Sequence, residues 1–382
     1  MNRDRLPSST LVWSVVVALA YVGAGRLGLL VASSPGRVSA VWPAAGVAVA
    51  AVLIGGRRLL GGVAAGALVT ALSTGEPVLP ALLATIADTI EPWVAATLLR
   101  RVGFRERLGR TTDVIAYVGL AAILSGMLGA ALGATAAWLD GAASVATLPR
   151  IWRDWWLGDF SGILILGSAI LTFAGVSPRI LRSRATVEVV SMTGVVGVAS
   201  FLLLRGGGSI PYLVLPLLFV LAFAYGQRGA TIGAAVVSFV AVALTARGHG
   251  PFPGGSMDGE LIRAQTFVCV GSVTGLLVAA AQSERRLAEQ AVDRLAESES
   301  ALGEAQRLAR IGSFDTDLTI GREVWSAELY RIIGRDPRGC PAAWSTWRSC
   351  VHPDDVAEVD RVVDEAYARA GAGSLVHRII RP

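Results

Sequence analysis

The chain has 382 residues, 53% of them apolar, a formal net charge of +5 and a mean hydropathy of +0.57. That composition excludes both an ordinary soluble domain and a disordered chain. Residues 1–282 carry 20 Arg against 12 acidic residues, and residues 283–382 carry 14 Arg against 17. The basic excess lies in short loops between apolar runs, which suits lipid headgroups and argues against a nucleic-acid surface. All 34 basic residues are Arg, which reads as genomic base bias. Cys269, Cys340 and Cys350 are scattered without CxxC spacing, so neither a disulfide frame nor a metal site is expected. No short apolar stretch ends in a small-residue cleavage site, so no signal peptide is expected.

In chain order, ten apolar runs approach the roughly 20 residues that a bilayer core requires. They lie near 10–32, 38–54, 59–75, 78–99, 112–138, 155–176, 186–204, 210–225, 229–246 and 262–282. Several are short, so the pattern predicts an α-helical polytopic bundle of 8–10 transmembrane helices. Arg3, Arg5, Arg57, Arg58, the cluster Arg100 to Arg110, Arg179, Arg182, Arg184 and Arg228 fall in alternate loops. Arg37, Arg150, Arg153, Arg205 and Arg247 fall in the others. This imbalance predicts both termini on the cytoplasmic side. Gly62/Gly66, Gly129/Gly133, Gly229/Gly233 and Gly271/Gly275 have the four-residue spacing that lets helix backbones approach closely. Gly23-Ala24-Gly25-Arg26-Leu27-Gly28 matches a dinucleotide fingerprint in form only, because it lies inside a spanning run with no strand before it.

Asp88 and Glu91 fall within the fourth run, on one helix face, and Asp159 lies about one turn inside the sixth. An ionised carboxylate at the bilayer centre costs roughly 2.5–3.5 kcal/mol on lenient scales. Two readings follow: a ligand or proton site inside the bundle, or a structural cluster paired with a residue such as Arg26 or Arg153. Pro92 frees a backbone carbonyl nearby. Trp42, Trp155 and Trp156 flank these positions, although Trp residues near span ends, with Trp93, Trp138 and Trp152, also suit an interfacial belt. His249 is a lone loop histidine.

These residues carry a resemblance. Val41-Trp42-Pro43-Ala44-Ala45-Gly46-Val47-Ala48 followed by Gly55-Gly56-Arg57-Arg58 resembles the opening of the MASE1 domain, an integral-membrane sensory module of bacterial signalling proteins. Ile86-Ala87-Asp88-Thr89-Ile90-Glu91 with Leu98-Leu99-Arg100-Arg101, then Trp155-Trp156-Leu157-Gly158-Asp159 and Gly248-His249-Gly250-Pro251-Phe252, resemble later motifs in the same order. The family pattern has Gly-Asn where this chain has Ala87-Asp88, so the added carboxylate departs from it. The resemblance covers about 10–285 and implies a sensory domain over 10–282.

Residues 284–309 lack Pro and contain a single Gly, at Gly303. Ala288, Ala291, Leu295, Ser298, Leu302, Ala305 and Ala309 form a thin apolar seam, predicting a signalling helix over 283–309 that pairs two copies, or else a solvated linker. Residues 310–382 resemble a PAS domain of the PAS fold-3 type. The match runs through Glu304 to Phe314, Val324 to Gly334, Val351-His352-Pro353-Asp354-Asp355 and His377 to Pro382. Strands are expected at Ser313–Leu318, Glu323–Trp325 and Leu375–Ile380, with a turn at Gly321 and a helix opening at Pro353. A PAS sheet normally has five strands and this sequence supplies three, so an incomplete α+β domain is expected. Phe314, Trp325, Tyr330 and His352 are its candidate core or pocket residues, His352 reading more as a cap than as a base.

No phosphoacceptor box, nucleotide loop, cyclase signature, flavin cysteine or haem ligand is recognised, so no catalytic residue, cofactor or metal is expected. The resemblance implies an input module, most often of a sensor histidine kinase, with a diguanylate cyclase as the close alternative. A transporter or channel-like protein using Asp88, Glu91 and Asp159 is the alternative from another class. Expected partners are the lipid bilayer, a second copy, and an unknown small ligand or membrane protein; no nucleic acid is expected.

Overall fold

The computed structural model describes residues 10–30, 41–174, 184–205, 210–317, 319–369 and 371–382. Arg3, Arg5, Arg37, Arg179 and Arg182 of the loop tally lie outside them. The chain divides into two compact units, Met1–Arg286 and Leu287–Pro382.

The first unit is helical: α1 Thr10–Leu30, α2 Pro43–Gly55, α3 Leu60–Ser73, α4 Val78–Arg101, α5 Thr111–Leu139, α6 Leu148–Phe173, α7 Arg184–Leu204, α8 Val214–Ala246 and the start of α9, Met257–Ala309. Among the described residues six of these (α1, α4, α5, α6, the stretch Pro211–Ala246 and α9) are long and apolar enough to cross a bilayer. The expected spans 210–225 and 229–246 form one element with a sharp break at Gly226, whose φ of 60° and ψ of −144° are not helical. Beyond the break the chain folds back, and a Cβ at Gly229 would lie 2.2 Å from the Leu221 carbonyl oxygen. Glycine at both positions therefore makes the hairpin.

The expected span 38–54 is corrected. α2 begins only at Pro43 and has 13 residues, about 20 Å of helix, too short to cross a bilayer alone. It begins inside the bundle, where the Trp42 amide donates to the Gly158 carbonyl of α6 at 2.9 Å. Every residue from Pro43 to Ala50 is buried. Small residues permit this. A Cβ at Gly162 would fall 1.8 Å from the Trp42 carbonyl oxygen, and one at Gly46 would fall 2.3 Å from the Gly162 carbonyl oxygen. At the other end of α2, the Arg100 guanidinium donates to the Val52 carbonyl at 2.7 Å, and Arg58 donates to Gly55 at 2.9 Å, satisfying carbonyls that a helix terminus leaves free.

Further contacts gather residues at that same end. Arg57 donates to Thr97 at 3.2 Å and lies over the Trp93 ring. Gln227 donates to the carbonyls of Leu108 and Leu276, Thr111 donates to Glu284, and Arg286 donates to the Phe223 carbonyl. α5 and α6 each contain a π-helical stretch, Tyr117–Ser125 and Ile163–Gly167. The two meet where the Tyr117 hydroxyl donates to the Ile163 carbonyl at 2.7 Å. Cys269 packs in this core.

In the second unit, β1 Phe314–Asp317 pairs antiparallel with β2 Arg322–Trp325 around the turn at Gly321, which has a φ of 67°. α10 Ala327–Ile333, α11 Trp344–Cys350 and α12 Val356–Arg369 follow. Leu318, the end of one expected strand, lies outside the described residues. The expected strand 375–380 is corrected: it makes a single antiparallel bridge, Val351 to Ile379. Two flanking backbone hydrogen bonds, His352 to Arg378 and Ile380 to Cys350, accompany it. Trp325, Leu329, Tyr330, Ile333 and Cys350 form the core. Phe314 is 67% exposed and does not join them, whereas Trp325, its partner across the β1–β2 pair, is covered by Tyr330 and Trp347. The His352 ring accepts from the Asp354 amide and caps the turn that opens at Pro353. Arg378 binds Asp355 through amide and guanidinium, holding that carboxyl well below the usual range.

Replacing Gly162 by Ala is expected to cost about 3 kcal/mol or more, since the clash is with backbone. Gly119→Ala, with nothing within 4 Å of the new methyl, is expected to be neutral. Thermal unfolding in detergent compares the two.

Candidate functional site

Helices α1, α2, α4, α5 and α6 bring one set of polar side chains together inside the bundle. On α4, Asp88 and Glu91 share a face, and Pro92 leaves the Asp88 carbonyl without its usual i+4 donor. Asp159 of α6 lies within electrostatic range of both. Glu91 and Asp159 are buried, at 2% and 6% exposure. Asp88 accepts a 2.7 Å hydrogen bond from the Tyr21 hydroxyl of α1, and the Trp42 side chain also interacts with that hydroxyl.

The expected arginine partners are elsewhere. Arg26 donates to the Ser73 carbonyl at 3.3 Å, and Arg153 pairs with its neighbour Asp154. Among the described residues no Arg pairs with Asp88, Glu91 or Asp159. The reading as an arginine-paired structural cluster is therefore overturned. The reason is helix phase: both arginines find partners at the rim, one beside the end of α3 and one beside its own neighbour.

Glycines on α5 shape the site. A Cβ at Gly129 would lie 2.8 Å from Glu91 Oε2, so the carboxyl rests directly on that backbone. Four residues on, Gly133 receives the Trp155 ring, with a Cβ–ring distance of 1.8 Å if one were present. At Gly126 a Cβ would lie 3.7 Å from Glu91 Oε1 and 3.8 Å from Trp156 Nε1, two buried polar atoms without a hydrogen-bond partner among the described residues. An acceptor and a donor thus converge on one spot, an arrangement that suits a small molecule able both to donate and to accept.

Trp42, Trp155 and Trp156 are part of this wall and not of an interfacial belt, whereas Trp93 and Trp138 are 41% and 46% exposed. Trp42 lies over Gly25 and Gly28 of α1, which gives two of the three glycines of the fingerprint-like run a packing role; a Cβ at Gly23 would meet nothing within 4 Å. His249 stays outside the site, its Nδ1 2.8 Å from the Arg247 carbonyl oxygen. Sequence reading missed Tyr21. A phenol hydroxyl near the middle of a largely apolar run was the available signal.

A family model for MASE1 matches residues 13–286, and a second, for the PAS fold, matches residues 322–382. The chain belongs to the MASE1 family. Neither a curated protein nor a solved structure matches it. A MASE1 domain followed by PAS makes the chain a multi-pass, membrane-embedded signalling input module. Within the MASE1 domain, the motifs centred on Trp42, Asp88-Glu91 and Trp155–Asp159 supply one site from three distant parts of the sequence.

Tyr21→Phe keeps the ring and removes the bond to Asp88. It is expected to lower the stability of the full chain by roughly 1–3 kcal/mol. An unchanged midpoint in thermal unfolding would show that this bond contributes nothing.

Proposed function

We propose that the chain is the sensory input of a bacterial inner-membrane signalling protein, with both termini cytoplasmic, and that Asp88, Glu91 and Asp159 with Tyr21 form its sensing site. The observation that carries this is a set of three carboxyls inside a helical bundle, none paired to an Arg among the described residues, beside two buried polar atoms that lack partners. Intramembrane ionisable groups are functional by default. The cytoplasmic assignment is supported by Arg57, Arg100 and Glu284 sharing one end of the bundle through the contacts above.

The output is a histidine kinase in this reading, with a diguanylate cyclase as the alternative, because both accompany a membrane domain followed by PAS. Transmission runs through α9. It is one helix over 53 residues, and its Leu295 and Leu302 are 62% and 61% exposed on the apolar seam. Two copies pairing along that seam bury these leucines, and a change at the bundle end of α9 then alters their register. Domains 10–282, 283–309 and 310–382 correspond to reception, transmission and relay.

A fusion of residues 1–382 to a histidine-kinase core, reconstituted in lipid, tests this through autophosphorylation. Glu91→Gln is expected to change the basal rate at least threefold at equal protein abundance, with Gly119→Ala unchanged. An unaltered rate in Glu91→Gln sinks the sensing assignment. Ion flux in proteoliposomes that vanishes in Asp88→Asn would favour a transporter instead.

A further inference from the structure

At the end of the bundle opposite Glu284, α4, α5 and α6, which surround the carboxyls, together with α9 wall a cavity of about 560 Å³. Its floor includes Ala84 of α4, Gly133 of α5 and Trp155 of α6. Asp88, Gly129 and Asp159 each lie one helical turn further in, so the cavity stands directly above the sensing site. The volume falls within the range of small-molecule sites.

The charge around it is lopsided. Glu76, Asp140, Asp154 and Asp258 line the cavity against one cation, Arg150. Arg150 is already engaged by Asp154 and Asp258. Glu76 and Asp140 have no cationic partner among the described residues, and they are close enough to repel: burial and Asp140 together hold the Glu76 carboxyl above its ordinary range. A cation placed between the two relieves that repulsion.

The second observation is Gln265 of α9. It is 5% exposed, lines the cavity, and its amide has no hydrogen-bond partner among the described residues. The amide is accessible from the cavity, so a polar ligand that enters can hydrogen-bond to it there. The Trp155 ring, held in place against Gly133, also lines the cavity and is an apolar surface over which a cation is attracted.

We propose that this cavity binds a small organic ammonium ion, with its charged nitrogen between Glu76 and Asp140, its carbon chain on Trp155 and a polar end on Gln265. A metal ion is a poorer fit, because no group of three or more potential ligands comes together among the described residues. Binding itself is independent of the signalling reading. Only its effect on output rests on that reading, because α9 contributes Gln265 to the cavity and continues to Ala309.

Calorimetry on the full chain in lipid nanodiscs, with n-butylammonium and 1,4-diaminobutane as probes and sodium butyrate as the charge control, tests the proposal. At least one ammonium probe is expected to bind, with butyrate silent. The double variant Glu76→Gln/Asp140→Asn, made at exposed positions, is expected to weaken binding at least tenfold. Gln265→Leu is expected to weaken it threefold or more with an unchanged unfolding midpoint. Failure of both ammonium probes to bind, equal binding of butyrate, or an unaltered affinity in the double variant would overturn it. If the amine binds and the kinase fusion does not respond, the cavity assignment stands and its link to output fails, while the sensory reading is judged by Glu91→Gln.

Discussion

The interaction on which the rest of the bundle depends is the placement of Asp88, Glu91 and Asp159 within helices that face lipid on their other side. Taking carboxyl groups into a water-poor interior is costly unless they find polar neighbours. The helices around them are shaped for that. α1 supplies a phenol to Asp88, α5 supplies bare backbone at Gly129 for Glu91 to rest against, and α6 brings Asp159 and two indoles. Of the seams that allow this, Gly46 against Gly162 leaves no room for a methyl group, and Trp42 packs closely over Gly25 and Gly28. In lipid, helix association relies on such close packing, since apolar contact alone does not distinguish protein from lipid.

That arrangement explains why α2 is short. A helix beginning inside the bundle needs its first amides satisfied or its first positions occupied by residues without one. Pro43 at the first position needs no acceptor, and the Trp42 amide reaches the Gly158 carbonyl. The Trp-Pro pair and the Trp-Leu-Gly-Asp run are therefore two sides of one contact. The same start carries Trp42 to Tyr21 and hence to Asp88.

Much of this was legible in the sequence because membrane burial leaves strong marks: long apolar runs, alternating Arg loops and carboxylates where none is cheap. The helical bundle and the hairpin beyond Gly226 follow from those marks. What escaped is the phase of each helix. Nothing in the run around Arg26 or Arg153 says which neighbour it faces, so their pairing with the carboxyls could not be excluded in advance. Tyr21 and Gln265 escaped for the same reason, each being a single polar residue whose partner is set by packing. In the second unit, alternation placed β1 and β2 correctly, but a segment such as 375–380 becomes a strand only if a neighbour pairs along it, and only Val351 does.

A cavity lined by α4, α5, α6 and α9 at the end of the bundle away from Glu284 makes a directional demand. Ala84→Cys places a thiol on the floor of the cavity, one turn above Asp88. In sealed vesicles of known orientation, with Cys269, Cys340 and Cys350 replaced by Ser, a cationic thiol reagent is expected to modify it from the face opposite Glu284, and faster than an anionic reagent of equal size. Modification from the Glu284 face, or none from either side, would contradict a polar site entered through that cavity.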